Sequence, residues 1–600
     1  MLMSNLYQAF SSLKKKINAA YVGKWVFIGS LIGVIAGLGS IILYTLINVF
    51  NYLILFKITG FNVPRSAGPI DYIITFSTYG RLLIPVATVL GGLFSGFIVY
   101  RFAPEAEGHG TDAAIEAFHN KNGKIRRRVP IVKTVASAIT IGSGGSAGRE
   151  GPTAQIAAGF GSFIADVFGM DDHDRRIAMA AGIGAGIGSI FLAPLGGAIL
   201  STEVLYRKDF EVEALIPSII ASFVGYLIFG FTFAYHGLFT IPASTVTGFH
   251  DPESLLLYLI LGIVAGLVGR FYVVFFYGMQ KLFTKMKKVS RYLRPALGGA
   301  VVGVIAIFLP EVLGLGYGWL QLIFYQRMAL FPVWILIVLV IAKIVATSFT
   351  IGSGGSGGVF APGMVIGGFL GAAIFGIFFQ FFPSVDVVDL TIVGMISFFG
   401  SVSKAPISVI IMGTEMTGGY SLFFPLMLTT LVAYFVCGEK YSIYSKQVAN
   451  REMSPAHAAE YEKPVLDEVN ILSAVNRDYP YISPETNLQE AISKIRGTKT
   501  KSVVVQKDRK LIGLLSIDDI DLNSDLTDTK AWQVVNPNPP KVDTTANAHQ
   551  VFDILSRSTV GKVIVVDSED KVVGTVGLVE IADAYNREIR KIKMYKGQQN

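Results

Sequence analysis

The chain has 600 residues with 51 lysines and arginines against 43 acids, a formal net charge of +8, yet only 16% of its residues are charged and 52% are hydrophobic. With a mean hydropathy of +0.53, this composition excludes a string of soluble domains and predicts a membrane protein. No basic residues interleave with aromatics on a separate module, which excludes a nucleic-acid binder, and the single cysteine, Cys437, excludes an intramolecular disulfide and a multi-cysteine metal site.

Taken in chain order, residues 1–24 read as a cytoplasmic segment, held inside by Lys14, Lys15, Lys16 and Lys24. That start is too long before its hydrophobic run for a cleaved signal peptide. From Trp25 to Leu55 there is no charge, and about 20 apolar residues suffice to cross a bilayer. Arg126, Arg127 and Arg128 mark a second cytoplasmic loop ahead of the Val129–Ile141 segment. The runs Thr153–Phe168 and Ile177–Phe191 are short and bounded by Gly or Pro, so helices that stop partway through the bilayer are expected. Between Gly363 and Cys437 the only charges are Asp386, Asp389, Lys404 and Glu415.

Two stretches repeat. TIGSGGSAGREGP (Thr140–Pro152) returns 210 residues later as TIGSGGSGGVFAP (Thr350–Pro362), with Val359 and Phe360 in place of Arg149 and Glu150. VKTVASAIT (132–140) pairs with AKIVATSFT (342–350), and APLGGAILSTEV (193–204) with APISVIIMGTEM (405–416). Residues 25–235 and 254–440 therefore read as two related halves of one membrane domain, 25–445, with a site where the halves meet.

The glycine motif suits anions. Gly and Ser at a helix start leave backbone N–H groups approachable, and the helix dipole adds positive charge. The other use of such a motif is close helix packing through small residues. It is no phosphate loop of the Walker kind, because the Gly-Lys-Ser/Thr ending is missing. Glu150 is an ionisable residue inside a span and hence a functional candidate. Ionised, a carboxylate competes with an anion; protonated, it withdraws, which makes it a gate and a proton carrier. The plainer use is an Arg149–Glu150 pair, although adjacent helical residues do not face each other.

After Tyr444 charges become frequent. Residues 446–470 read as a linker, followed by two small α/β units at 471–525 and 530–590. The first unit runs NLQEAISKI, then KSVVVQKDRKLIGLLSIDDI; the second runs NAHQVFDILSRS, then GKVIVVDSEDKVVGTVGLVEI.

GREGP (Gly148–Pro152), GVFAP (Gly358–Pro362) and the terminal pair together resemble the CLC family of chloride channels and chloride/proton antiporters that carry tandem CBS domains. The resemblance spans nearly the whole chain. It implies an α-helical polytopic membrane protein of antiparallel inverted repeats of short tilted helices, followed by a small α/β tandem CBS module. It also implies a homodimer in the cytoplasmic membrane, with a pore in each subunit, the N-terminus and CBS pair in the cytoplasm, and chloride as substrate with no cofactor required. Glu150 matches the family's gating glutamate. Gly148, Gly151, Val359 and Phe360 fall at chloride-binding positions, and Tyr444, or Tyr441 one turn earlier, matches the tyrosine whose hydroxyl reaches the anion.

The chain also departs from the family pattern. Where the family has Gly-Ser-Gly-Ile-Pro this sequence has GHGTD, so His109 stands at the anion-binding serine and Asp112 at the proline. A neutral imidazole N–H can donate to chloride and a protonated one binds it more tightly. The inner proton glutamate falls on Val204, which fits a strictly passive channel, while some antiporters manage with other residues. Glu203 and Glu415 occupy equivalent repeat positions, and a capping or packing role is expected of both. In the CBS pair, the ribose-contacting Ser/Thr-x-x-Asp pattern for an adenine nucleotide is present as Ser516 and Asp519, with Gly577 and Glu580 at the second copy. An intramembrane serine protease would need a histidine within a span, and a CBS-linked cation transporter would need clustered intramembrane carboxylates; neither is found. The sequence leaves channel and antiporter both open.

Overall fold

The computed structural model describes residues 21–66, 72–235, 237–242, 246, 248–249, 251–418, 420–458, 465–498, 501–521, 526–558 and 560–597. Lys14, Lys15 and Lys16 lie outside the described residues. The chain divides between His457 and Ala458 into two units.

The first unit is helical. Among the described residues, seven helices are long and apolar enough to cross a membrane, and two shorter apolar ones accompany them. The two halves correspond helix by helix: α1 (Tyr21–Phe50) with α9 (Leu255–Lys285), α2 (Gly80–Phe102) with α10 (Arg294–Phe308), and α3 (Thr111–Asn120) with α11 (Tyr317–Phe324). The series continues with α4 (Arg128–Gly142) and α12 (Val333–Gly352), α5 (Glu150–Phe168) and α13 (Phe360–Phe378), and α6 (Asp172–Phe191) and α14 (Val387–Ser403). It closes with α7 (Pro194–Glu203) and α15 (Pro406–Thr417), and α8 (Leu215–Phe233) and α16 (Phe423–Cys437).

Small residues let the helices meet. In the first half a Cβ on Gly33 would lie 2.5 Å from the Ala221 carbonyl, and in the second a Cβ on Gly266 would lie 2.7 Å from the Ala433 carbonyl. The first and last helices of each half thus pack backbone to backbone, as small residues allow where lipid supplies no hydrophobic drive between helices.

The halves also cap each other. The Glu203 carboxylate accepts from the Ile407 and Ser408 amides at 3.2 and 2.8 Å, and Glu415 accepts from the Leu195 and Gly196 amides at 3.1 and 2.7 Å. Each glutamate therefore satisfies the orphan donors at the start of the other half's helix.

The segment through His457 packs on this unit: Arg207 and Lys208 donate backbone N–H groups to the Val448 and Ala449 carbonyls. Gln447, at the start of the expected linker, donates from Nε2 to the Val204, Tyr206 and Ser403 carbonyls. Those carbonyls sit at helix ends, where α7 and α14 leave acceptors without intrahelical donors.

The second unit holds two three-stranded sheets. β1 (Tyr481–Ile482), β2 (Ser502–Lys507) and β3 (Lys510–Ser516) form one, and β4 (Lys541–Asp543), β5 (Lys562–Val566) and β6 (Val572–Gly577) the other. In each, the first strand is parallel to the second and the second antiparallel to the third. The short leading strands are not among the elements read from the sequence, because two or three residues carry no periodicity. Helices α17 (Leu488–Arg496) and α18 (Ala548–Arg557) start on Asn487 and Asn547, whose side chains accept from the amides of Glu490 and Gln550. Val504 and Leu514 of one sheet share a core with Ile564, Val566 and Val572 of the other.

Candidate functional site

The two glycine motifs meet backbone to backbone. Gly148 and Gly358 exchange N–H···O=C bonds of 2.6 Å in both directions, which brings the starts of α5 and α13 together. A side chain here would collide: a Cβ on Gly148 would lie 2.0 Å from a Glu150 oxygen, and one on Gly151 2.0 Å from the His109 carbonyl.

Glu150 opens α5, 2% exposed. One carboxylate oxygen accepts from the Tyr317 hydroxyl at 2.9 Å, and the other from the Ala361 amide at 3.3 Å. The first amides of a helix have no intrahelical acceptor, so the carboxylate sits where a free anion would be held at the α13 N-terminus. Arg149 is no partner to it. Its guanidinium packs 4.9 Å from the Tyr44 ring and donates to the Ile190 carbonyl. A cavity of about 340 Å³ has Asn51, Arg65 and two neighbours of Glu150, Arg149 and Tyr317, in its wall.

Val359 and Phe360 are buried at the start of α13. The Phe360 ring touches Phe191 and Phe399 at centroid distances of 4.8 and 4.1 Å; Phe399 is followed by Tyr444 at 6.5 Å, and Tyr444 by His109 at 5.5 Å. A line of rings thus runs from Phe360, at the start of α13, to His109. Tyr444 is 3% exposed beside His109, whereas the Tyr441 hydroxyl accepts from Arg270 at an exposed position and its ring stacks on that guanidinium. Of the two tyrosines, Tyr444 is the one beside His109.

His109 is 5% exposed. Its Nε2 lies 3.2 Å from Asp112 Oδ2, and Asp112 in turn accepts from the Ser445 amide and hydroxyl and the Lys446 amide. Asp112 therefore ties the histidine loop to the segment carrying Tyr444.

One further repeat was not legible. GHGT (108–111) corresponds to GLGY (314–317), with φ of +73° and +87° at Gly108 and Gly110 and +57° and +91° at Gly314 and Gly316. A buried lysine braces each loop. Lys133 Nζ donates to the Ala106 and Gly108 carbonyls, and Lys343 Nζ to the Val312 and Gly314 carbonyls. The second loop places Tyr317 on Glu150. Tyr317 and Ala361 are site residues that sequence reasoning missed; the paired glycines were the only signal for the first, and a backbone amide leaves none.

Val204 is buried at 1% exposure, and Glu203 beside it is held by the α15 amides and the Ser408 hydroxyl. In the second unit Asp519 accepts from the Ser516 amide at 2.9 Å, and Glu580 from the Gly577 amide at 3.0 Å. A separate cavity of about 730 Å³, walled by Arg477, Tyr479, Arg509 and Lys571, does not include Ser516 or Asp519.

A family model described as voltage gated chloride channel matches residues 91–438. The chain belongs to that family. A CBS domain model matches twice within the second unit of this CLC protein, at residues 470–521 and 531–587. An uncharacterized protein of Methanocaldococcus jannaschii is 31% identical over 411 residues, 68% of this chain and 92% of that one. The H(+)/Cl(-) exchange transporter ClcA of Cronobacter sakazakii is 32% identical over 384 residues, 62% of this chain and 81% of its own. Among solved structures, a slow cyanobacterial Cl-/H+ antiporter superposes with a TM-score of 0.59 at 23% identity, covering 70% of this chain and 96% of its own. A eukaryotic CLC transporter gives 0.56 at 20% identity, covering 93% and 98%. These two show the fold, a multi-pass CLC architecture, and the CBS domain model shows the terminal pair.

Proposed function

We propose that the protein carries chloride across the cytoplasmic membrane through a path in each subunit that Glu150 gates. The observation that carries this reading is the Glu150 carboxylate held between the Tyr317 hydroxyl and the Ala361 amide, an anion of the chain's own in an anion's place. Protonation removes the charge that those donors favour and frees the place for chloride. The chloride positions in this reading are His109, Gly148, Gly151, Val359, Phe360 and Tyr444. Families of this kind imply a homodimer with the N-terminus and CBS pair in the cytoplasm, and an adenine nucleotide, where one binds, contacting Ser516 and Asp519.

A strictly passive channel is the second reading, and one observation favours it. Val204 stands at the inner proton position, and its neighbour Glu203 is committed to the α15 amides, which leaves neither residue to relay protons.

Flux from chloride-loaded liposomes, with external pH recorded, tests both. Parent flux is expected to rise on acidification, and Glu150→Gln to flow at every pH without moving protons. At saturating chloride, where affinity no longer limits the flux, a pH dependence that survives Glu150→Gln removes the gate from Glu150. Proton entry driven by chloride efflux in the parent excludes the passive channel, and absence of anion flux overturns chloride transport itself.

A further inference from the structure

His109 and Asp112 form a pair where the family motif has serine and proline, and their contacts settle which ring nitrogen carries the hydrogen. Asp112 Oδ2 accepts from the Ser445 hydroxyl at 2.6 Å and the Ser445 amide at 3.2 Å, and Oδ1 accepts from the Lys446 amide at 3.2 Å. A carboxyl taking only donors on both oxygens is the ionised, acceptor-only form. The hydrogen between it and His109 Nε2, 3.2 Å away, therefore belongs to the imidazole. In the neutral ring Nδ1 is then a bare lone pair. It is buried and meets no donor or acceptor among the described residues, in a ring that faces Tyr444 at 5.5 Å and Phe276 at 6.4 Å.

A lone pair repels an anion, and an N–H attracts one. Serine in the family motif donates to chloride at any pH; His109 in this tautomer donates from Nδ1 only as imidazolium. We propose that the central anion is held at His109 together with a proton, so that chloride and one hydrogen ion are taken up as a unit: neutral ring plus H⁺ plus Cl⁻ gives imidazolium chloride. This rests on reading the site as the chloride site. The other ionisable groups around the loop are Lys133, whose Nζ bonds the Gly108 carbonyl, Glu107 beside it, Glu150 on α5, Tyr277 on α9 and Tyr444. Lys133 opposes the second positive charge, and Glu150, displaced when chloride enters, takes a proton of its own.

Two consequences follow by linkage. Where the ring is neutral without chloride, apparent chloride affinity rises by up to about tenfold for each unit of acidification, and chloride raises the proton affinity of the ring in the same proportion.

The test is calorimetric chloride binding to the full-length protein in two buffers of different ionisation enthalpy, all in a Glu150→Gln background so that the gate contributes no proton. The expected uptake approaches one proton per chloride. Adding His109→Ser brings it to zero and flattens affinity against pH. Asp112→Asn gives a second handle: the amide can donate to Nε2 and leave the hydrogen on Nδ1, so chloride binds with little proton uptake. Tight chloride binding without proton uptake in Glu150→Gln overturns the proposal, as does uptake that persists in His109→Ser. Failure of every form to bind chloride, with no liposome flux, overturns the chloride site itself, which is a different result from binding without protons.

Discussion

The two halves of the membrane unit share a scaffold and differ at its centre. Lys133 and Lys343 brace equivalent loops, Glu203 and Glu415 cap each other's helices, and Gly148 and Gly358 bond to one another. At the matching centre, Glu150 corresponds to Phe360, His109 to Leu315, and Thr111 to Tyr317. Residues that repeat hold the structure, and residues that break the repeat are the ones proposed to carry the chemistry. On the proposed reading, the first half supplies the gate and a polar ring for the anion; the second supplies the amide and the hydroxyl that hold the Glu150 carboxylate.

If that division is right, the paired lysines are equal. Each is fully buried and donates to two carbonyls, and replacing it with methionine leaves both acceptors unsatisfied at about 1–3 kcal/mol apiece, offset in part by no longer burying an ammonium. Lys133→Met and Lys343→Met are expected to lower thermal stability by similar amounts, net about 2–4 kcal/mol, read as unfolding temperature of the purified protein. A large loss for one and none for the other breaks the symmetry and makes the exceptional lysine part of the transport path.

A smaller effect is expected where the halves differ. Tyr317→Phe removes the hydroxyl on Glu150 and nothing else, since the phenylalanine ring fills the same space. A hydrogen bond to a charged group contributes about 1.5–3 kcal/mol, so the ionised, closed gate loses at least a factor of about ten, equivalent to one pH unit. The pH at which flux is half-activated should therefore move upward by about one unit, with chloride affinity at His109 unchanged. A midpoint that stays in place would make Tyr317 a packing residue.

The same contrast explains what could be read in advance. Hydropathy exposed the spans, and the near-identity of GSGGSAGREGP and GSGGSGGVFAP exposed the repeat, because small residues are demanded wherever backbones touch. GHGT and GLGY were not paired, since only the glycines recur and the spacing slips. Tyr317 lies in the apolar run YGWLQLIF, where an aromatic ring is indistinguishable from core until its hydroxyl is seen on Glu150. The lysines were visible in VKTV and AKIV but mute, because their acceptors are carbonyls, which every residue has. In the CBS pair the helices and long strands were legible from their helical pattern and β-branched runs, while β1 and β4 are too short to show a pattern.

The smallest effect sharpens the comparison most. Glu203 stands beside Val204, at the position where an inner proton carrier is looked for, and Glu415 stands at the matching place in the other half with no such association. Both carboxylates bind the first amides of a helix, and an amide side chain keeps one acceptor while losing the charge that favours the positive helix end, a cost of about 0.3–1 kcal/mol. Glu203→Gln and Glu415→Gln should therefore lower stability slightly, Glu203→Gln by the larger amount because Glu203 also accepts from the Ser408 hydroxyl, and leave any proton movement as it is in the parent. Loss of proton movement in Glu203→Gln alone would mean that the carboxylate leaves its cap during transport, and Glu203 would then belong with His109 and Glu150 among the residues that set the first half apart.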